Sequence, residues 1–423
     1  MSFVDKLKSE ILPRAVTEGK FGKDIVTFLN YEPDETYSAV DHNCSSVYFG
    51  DVILETGKGE RIVKSIVIKT FYDVGTGKPL ACLRLTNEFL FYTEILPLLR
   101  ECDVGDTISK IFPKFFFGSL DSSGNDPSKE FLVFENVQKR GFKLCSSRAF
   151  LDFDHLELTI RKLAQFHALS FVTKKKHSRR FKDLTLKIKE FYFTLERLKD
   201  PSGFFRWNCK RGITPLETNP EYRDKLEDIQ KVVDDTELSM GKVASPLTCP
   251  LSVICHGDFY RNNIFYRYDP KSGAPTELIF FDLALFRYSS PTIDLSTFLF
   301  MNASPELRTS KWEDLLRIYH STLVSDPNLG PGMVPFLTDL RQDFLRRGFY
   351  GYAWSSFNLP KALTEKKEAD KEKDWWTISA AERIRISLEM GGEKGTFHLM
   401  QNARFMIDEH FDFKYILDLK LYV

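Results

Sequence analysis

The spacing of apolar residues changes period once along the chain, near Val137, and this restricts the fold more than any other feature. From about Tyr37 to Val137 the pattern is that of strands rich in β-branched and aromatic residues: Ser46 to Leu54, Arg61 to Thr70, Ile111 to Gly118 and Glu130 to Asn136. One helical pattern, Leu83 to Leu99, interrupts them. Beyond Val137 the spacing is mostly helical: Asp154 to Phe171, Phe181 to Leu198, Pro291 to Leu323, Leu337 to Phe357 and Thr377 to His410. Asp154-His155-Leu156-Glu157 fits a capping box for the first of these. Short apolar runs between Pro250 and Asp282 flank the turn-rich Asp269-Pro270-Lys271-Ser272-Gly273, so a β-hairpin is expected inside the helical part. The expected fold is α+β and two-lobed, with residues 1–137 as a β-rich lobe with one helix and residues 138–423 as a mainly helical lobe.

Composition excludes several classes. With 423 residues, 43% of them hydrophobic, the chain can bury a large core, and 59 basic residues balance 59 acidic ones. That balance lacks the field of a dedicated nucleic-acid binder. The N-terminus has no charged region followed by an apolar core, and no apolar run reaches the length of a membrane span. Seven cysteines without Cys-x-x-Cys spacing fit reduced thiols in the cytosol better than disulfides or a zinc site. The basic stretch Lys174 to Arg180 and the mixed-charge stretch Lys361 to Asp374 read as exposed loops.

One phosphate-loop candidate fails. Gly75-Thr76-Gly77-Lys78 has Tyr72 where a Walker A loop needs its first Gly and Pro79 where it needs Ser or Thr. No Gly-x-Gly-x-x-Gly follows a strand. The informative stretch is His256-Gly257-Asp258-Phe259-Tyr260-Arg261-Asn262-Asn263, whose His-x-Asp-x4-Asn spacing is that of a kinase catalytic loop. There Asp258 would accept the proton of an attacking hydroxyl and Asn263 would hold Mg2+. The hairpin that follows should return Asp282 to the same point, and an Asp after a run of four apolar residues is explained as a second metal-binding carboxylate.

Upstream, Ile66-Val67-Ile68-Lys69 ends an alternating strand with a lysine suited to ATP phosphates, with Lys64 as the rival on the opposite strand face. In the next helix, Glu88 sits within the apolar arc of Leu85, Tyr92, Ile95 and Leu99, where a carboxylate wants a cationic partner, whereas Glu94 falls toward solvent. Lys69 is therefore expected to pair with Glu88.

These residues, in order, resemble the ecdysteroid kinase-like family of the choline kinase and aminoglycoside phosphotransferase group. Further matches are Asn87-Glu88 to Tyr92 with Pro97, Leu132 to Val137, Leu163-Ala164-Gln165-Phe166-His167-Ala168, and Arg287 to Leu295, and the resemblance runs from about Asp41 to Asn358. It implies a protein-kinase-like fold, with Glu135 to Val137 as the hinge whose backbone holds adenine and Asn43-Cys44-Ser45-Ser46 as the loop over the phosphates. It also implies phosphorylation of a small-molecule hydroxyl by ATP. Asp294 is similar to the family's carboxylate that buttresses the catalytic loop, although a helix N-cap fits as well. His167 reads as a core histidine. The chain departs from the family with Asp282-Leu283-Ala284 in place of Asp-Phe-Gln, and Tyr260 in place of Trp. Within this reading an ecdysteroid-like or other lipophilic alcohol is favoured over choline, for which no aromatic and acidic cage is identifiable. Trp375 and Trp376 are candidates for the acceptor pocket. A pseudokinase that binds nucleotide or a partner is the contrasting class.

Overall fold

The computed structural model describes residues 3–36, 45–71, 78–121, 129–190, 192–198, 202–364 and 378–420. Its N-terminal part is an antiparallel sheet of β1 (Ile25–Pro33), β2 (Ser45–Thr56), β3 (Arg61–Phe71), β4 (Phe115–Ser119) and β5 (Phe131–Glu135), in the order β1-β2-β3-β5-β4. Alternation along β3 decides which face is which. Ile66 and Ile68 join Val52, Leu54, Tyr31 and Val133 in a core covered by the N-terminal helical segment of Leu7, Leu12 and Val16. Lys64 shares that face. Lys69 points to the other, against helix α1 (Lys78–Leu90), which runs on through a π-helical turn, Phe91–Ile95, to Leu96–Arg100. Leu85, Tyr92, Ile95 and Leu99, the apolar arc of this helix, are all buried.

The remainder is mostly helical. Its principal helices are α2 (Phe153–Lys176), α3 (Phe204–Glu217), α4 (Thr292–Asn302), α5 (Pro305–Val324), α6 (Leu337–Arg347), α7 (Phe349–Leu363) and α8 (Gly392–Asp408). Every residue of α4 is buried, so it is the axis around which α7 and the Arg261–Asn263 turn pack. Set into these helices are β7 (Val253–Cys255) paired with β10 (Arg287–Ser289), and a small sheet in the order β6 (Lys143–Leu144), β8 (Ile264–Tyr268), β9 (Pro275–Phe280). The fold is therefore α+β and kinase-like, a β-rich N-terminal part followed by a helical one. No helix among the described residues is long and apolar enough to cross a membrane.

Several local expectations are corrected. The cap of α2 is Asp152, whose Oδ1 accepts from the backbone N of His155 at 3.0 Å, two residues ahead of the box expected at Asp154. The helix expected over Phe181 to Leu198 is broken into Ser178–Thr185 and Leu195–Leu198. Between them Asn87 of α1 accepts from the backbone N of Lys189 at 2.9 Å and donates to its carbonyl at 2.8 Å, supplying the hydrogen bonds that a helix would otherwise make. Pro291 to Leu323 is two helices because Ser304 caps α5 with Pro305 in its first turn. The strand expected from Ile111 begins only at Phe115, after a helical turn Thr107–Ile111. Strand β1 was not expected at all: it is an edge strand with two register shifts and a largely exposed surface, so its alternation is faint.

Candidate active site

The hairpin β8–β9 pairs Ile264 with Phe280, and the backbone N of Phe281 donates to the carbonyl of Asn263 at 3.1 Å. This returns Asp282 to the end of the loop that carries Asp258. Asp282 itself has φ of 63°, in the left-handed region that non-glycine residues rarely occupy. Held there, its Oδ1 accepts from Lys69 Nζ at 2.7 Å, while Glu88 Oε2 accepts from the same ammonium at 2.6 Å. The other Glu88 oxygen accepts from the backbone N of Leu283 at 3.2 Å, so one buried carboxylate ties β3, α1 and the Asp282 turn together. Burial works against the Lys69 charge, but Asp282 and Glu88 outweigh it and hold the ammonium above the usual lysine range. Burial pushes the Glu88 carboxyl upward, with Lys69 pulling against it. Lys64 takes no part, and Glu94 pairs at the surface with Lys187.

The loop from His256 to Asn263 is fixed from behind. Asp294, on the first turn of α4, accepts from the backbone N of His256 at 2.6 Å and of Gly257 at 2.9 Å. It is fully buried, and His167 Nε2 stands 3.2 Å from its Oδ2 while His167 Nδ1 stands 2.8 Å from the Tyr319 hydroxyl. His167 is thus a satisfied core histidine that orients the buttress. Gly257 has φ of 82°, and a Cβ there would lie 1.9 Å from the carbonyl O of Leu285, so only glycine fits. His256 Nε2 faces the carbonyl of Phe281 at 2.9 Å, and burial pushes its pKa down, so it donates as a neutral ring. His167, Cys255 and Asp294 are the one group among the described residues with metal-ligand proximity. The Asp294 oxygens already take the loop amides, however, and the Cys255 thiol points to the Ser290 carbonyl at 3.2 Å.

Asp258 is held by two side chains through three hydrogen bonds. Asn263 Nδ2 donates to its backbone carbonyl at 2.8 Å and to its Oδ2 at 3.1 Å, and Trp354 Nε1 of α7 donates to its Oδ1 at 3.1 Å. Burial and the Asp282 charge push the Asp258 carboxyl up to about 6, with Arg84, Asn263 and Trp354 pulling back. A carboxylate raised this far is suited to exchange a proton near neutral pH. Because the Asn263 amide nitrogen is spent on Asp258, its amide oxygen is the atom left to face a cation. With Asp282 it would supply hard oxygen donors of the kind that Mg2+ prefers.

The other expected residues sit as follows. Ser46 is the second residue of β2, where its carbonyl accepts from the Thr70 hydroxyl at 3.2 Å beside Lys69. Ser45 is the first residue of that strand, while Asn43 and Cys44 lie outside the described residues, as do residues 72–77 and Trp375 and Trp376. Glu135 ends β5, and Asn136 turns the chain by accepting from the backbone N of Gln138 at 3.1 Å, after which Val137 begins a 3-10 turn. The Glu135 carboxylate pairs outward with Arg140 at 3.3 Å, and its backbone N donates to the Lys114 carbonyl at 2.8 Å.

Sequence reasoning missed the wall beside Asp258. The Trp354 ring stacks on Tyr350 and Phe205 and meets the edge of Tyr192 at 5.4 Å between centroids. Arg84 of α1 donates to the Tyr192 hydroxyl and lies over its ring, as does Arg197. One signal was available: Arg84 precedes Glu88 by four residues and so shares its helix face.

The family model of the ecdysteroid kinase-like family matches residues 40–328. No curated protein sequence matches the chain significantly. Among solved structures, that of the microcompartment-associated aminopropanol kinase aligns at 12% identity over 87% of this chain and 94% of that one, with a TM-score of 0.39, too loose a likeness to carry an argument. The family match spans more than half of the sequence and includes Lys69, Glu88, Asp258, Asn263, Asp282 and Asp294, so the chain belongs to the ecdysteroid kinase-like family.

Proposed function

We propose that the chain is an ATP- and Mg2+-dependent kinase that phosphorylates a hydroxyl of a small lipophilic alcohol, of the ecdysteroid type or similar. The observation that carries this reading is the double ion pair of Lys69 with Glu88 and Asp282, beside a carboxyl, Asp258, tuned to about 6. Residues 1–137 serve as the nucleotide lobe and residues 138–423 as the catalytic and acceptor lobe. Lys69, kept in place by Glu88, neutralises phosphate charge. The backbone of Glu135 to Val137 borders adenine, and the turn ending in Ser45 and Ser46 covers the phosphates. Asn263 and Asp282 would hold Mg2+, which would offset phosphate charge there. Asp258 orients the acceptor hydroxyl and takes its proton as the new bond to phosphorus forms. Free thiols at Cys102, Cys145, Cys209, Cys249 and Cys255 suit a reducing cytoplasm.

The wall of Trp354, Tyr192 and Phe205 favours an apolar acceptor. Arg84 and Arg197, both over the Tyr192 ring, disfavour the quaternary ammonium of choline, which would meet two like charges there. The test pairs thermal shift with ATP and Mg2+ against phosphorylated product by mass spectrometry over sterols, glycosides, choline and ethanolamine. Product from a sterol or other lipophilic alcohol supports the reading. Stabilisation by ATP with no product anywhere would favour a pseudokinase, and no stabilisation by millimolar nucleotide would remove the kinase reading.

A further inference from the structure

Tyr192, whose ring meets Trp354 beside Asp258, lies between the short helices Ser178–Thr185 and Leu195–Leu198, in a stretch that is neither helix nor strand. Two side chains reach this stretch from opposite sides. The first is Asn87 of α1, which is buried and takes both backbone groups of Lys189, accepting from its N at 2.9 Å and donating to its carbonyl at 2.8 Å. An amide used in this way does the work of one rung of a strand pair. The second is Arg287 of β10, 8% exposed in its side chain, whose Nη1 stands 3.4 Å from Glu190 Oε2. The other Glu190 oxygen accepts from the backbone N of Tyr192 at 2.8 Å and of Phe193 at 3.2 Å. The Arg287 guanidinium also lies over the rings of Phe193 and Tyr350, 5.2 and 5.8 Å from their centres, and Tyr350 stacks on Trp354 with the planes 8° apart. The backbone of Arg287 pairs with Cys255, the residue ahead of His256, so this guanidinium is anchored at the root of the catalytic loop.

A buried arginine costs desolvation that an apolar side chain of the same size would not. What its charge supplies here is a hold on Glu190. That carboxylate is 41% exposed, so water is its alternative partner, and a Glu190 turned to water would release the Tyr192 and Phe193 amides. We propose that Asn87 and Arg287 are positioning residues of the acceptor pocket. Between them they set the Tyr192 ring against Trp354, and with it the apolar wall on which the alcohol rests while Asp258 takes its proton. Asn87 acts through the Lys189 backbone and Arg287 acts through Glu190, so neither needs to touch the alcohol or ATP. The inference rests on the kinase reading above and adds which residues govern the hold on the acceptor. Asn87 adjoins Glu88, the partner of Lys69, so one turn of α1 places both the phosphate lysine and one side of the acceptor wall.

The test has one arm without acceptor and one with it. In the first, hydrogen–deuterium exchange of the full chain is read by mass spectrometry on peptides covering Lys189, Glu190, Tyr192 and Phe193. Asn87→Ala and Arg287→Met should each speed exchange there about tenfold, while Lys187→Ala, which breaks only the surface pair with Glu94, should leave it unchanged. In the second arm, steady-state kinetics are measured with whichever of a sterol, a glycoside, choline or ethanolamine the wild type phosphorylates. Both variants should lower kcat/KM for that alcohol about ten- to a hundredfold, with the KM for ATP within about twofold of wild type. Arg287→Lys, which keeps the charge near Glu190 but not the planar group between Phe193 and Tyr350, should recover part of the loss. Glu190→Gln added to Arg287→Met should cost no more than Arg287→Met alone. Unchanged exchange in both variants would overturn the proposal, as would faster exchange with an unchanged acceptor kcat/KM. A KM for ATP that rises in step with the acceptor loss would reduce both residues to a general structural role, and additive losses in the double variant would remove the route through Glu190. Absence of product from wild type with every alcohol would remove the kinase reading and the acceptor role with it; the exchange arm tells that outcome apart from a failure of the positioning claim.

Discussion

The indole N–H of Trp354 donates to Oδ1 of Asp258 at 3.1 Å across 96 residues of sequence, while the Asn263 amide covers Oδ2 at 3.1 Å. Both carboxylate oxygens are therefore fixed, one by the candidate metal side and one by the aromatic wall. Trp354→Phe keeps most of the ring and deletes the donor. It should lower kcat about tenfold, more than it changes the KM for ATP, since a mis-aimed base costs roughly one to two orders of magnitude. Steady-state kinetics with separate ATP and acceptor titrations check this. An unchanged kcat would separate Trp354 from the positioning of Asp258.

A carboxyl raised from the usual aspartate value of 3.8 to about 6 carries a stability cost with a definite sign. Between those pH values the folded chain holds a proton at Asp258 that the unfolded chain has released, so stability falls as pH rises through this window. Above pH 6 the full cost is present, on the order of 2 to 3 kcal/mol. Asp258→Asn removes it. The variant should be more stable than wild type at pH 7.5 by about 1 to 3 kcal/mol, with the gain fading toward pH 4, while phosphoryl transfer is lost. Urea unfolding at pH 4.5 and 7.5 measures the difference. A variant less stable than wild type at pH 7.5 would contradict the sign.

Much of this geometry is legible in the sequence because it follows from two periods and one hairpin. Alternation along β3 puts Lys69 opposite Ile66 and Ile68, the helical wheel puts Glu88 within a buried arc, and the turn at Asp269 to Ala274 returns Asp282 to the loop. What the sequence hides is contact across long separations without a periodic signal. Trp354 lies in α7, most of whose residues are buried, so its polar atom carries no mark there. Tyr192 lies in a stretch with helical spacing that is not helical, because Asn87 takes the backbone of Lys189 from outside. The cap at Asp152 was obscured by the competing Asp154, two residues later and equally suited by type.

Gly257→Ala should be among the most damaging single substitutions. It places a Cβ against the Leu285 carbonyl at 1.9 Å in a left-handed backbone, and relief requires moving a loop fixed by the two bonds from Asp294. A destabilisation of at least about 3 kcal/mol is expected, seen as a fall in melting temperature or as insoluble protein. Asp294→Ala should match it in direction, leaving two buried amides unpaired at a cost of about 1 to 3 kcal/mol each. Gly141→Ala is the control: it also has positive φ, but nothing lies within 4 Å of its Cβ, so its cost should stay near 1 kcal/mol. Equal melting temperatures for Gly257→Ala and Gly141→Ala would show that backbone conformation alone, and not the Leu285 contact, sets the cost.

Lys69 and Asp282 separate two roles that removal of either would otherwise confuse. Lys69→Met takes away the ammonium shared by two carboxylates that face each other across it, so Glu88 and Asp282 are left to repel. One of them should then keep a proton at neutral pH, and ATP affinity should fall about tenfold or more, with or without Mg2+. Asp282→Asn, by contrast, keeps Lys69 paired with Glu88 and removes a hard oxygen charge from the metal side. Nucleotide should still bind without the metal at near wild-type strength, while the gain in affinity on adding Mg2+ disappears. Isothermal titration calorimetry with ATP alone and with ATP plus Mg2+, on wild type and both variants, resolves the two effects. Should Asp282→Asn keep the full Mg2+ dependence, the metal would have to be held by groups other than Asp282, and the left-handed turn that aims it at Lys69 would serve the ion pair alone.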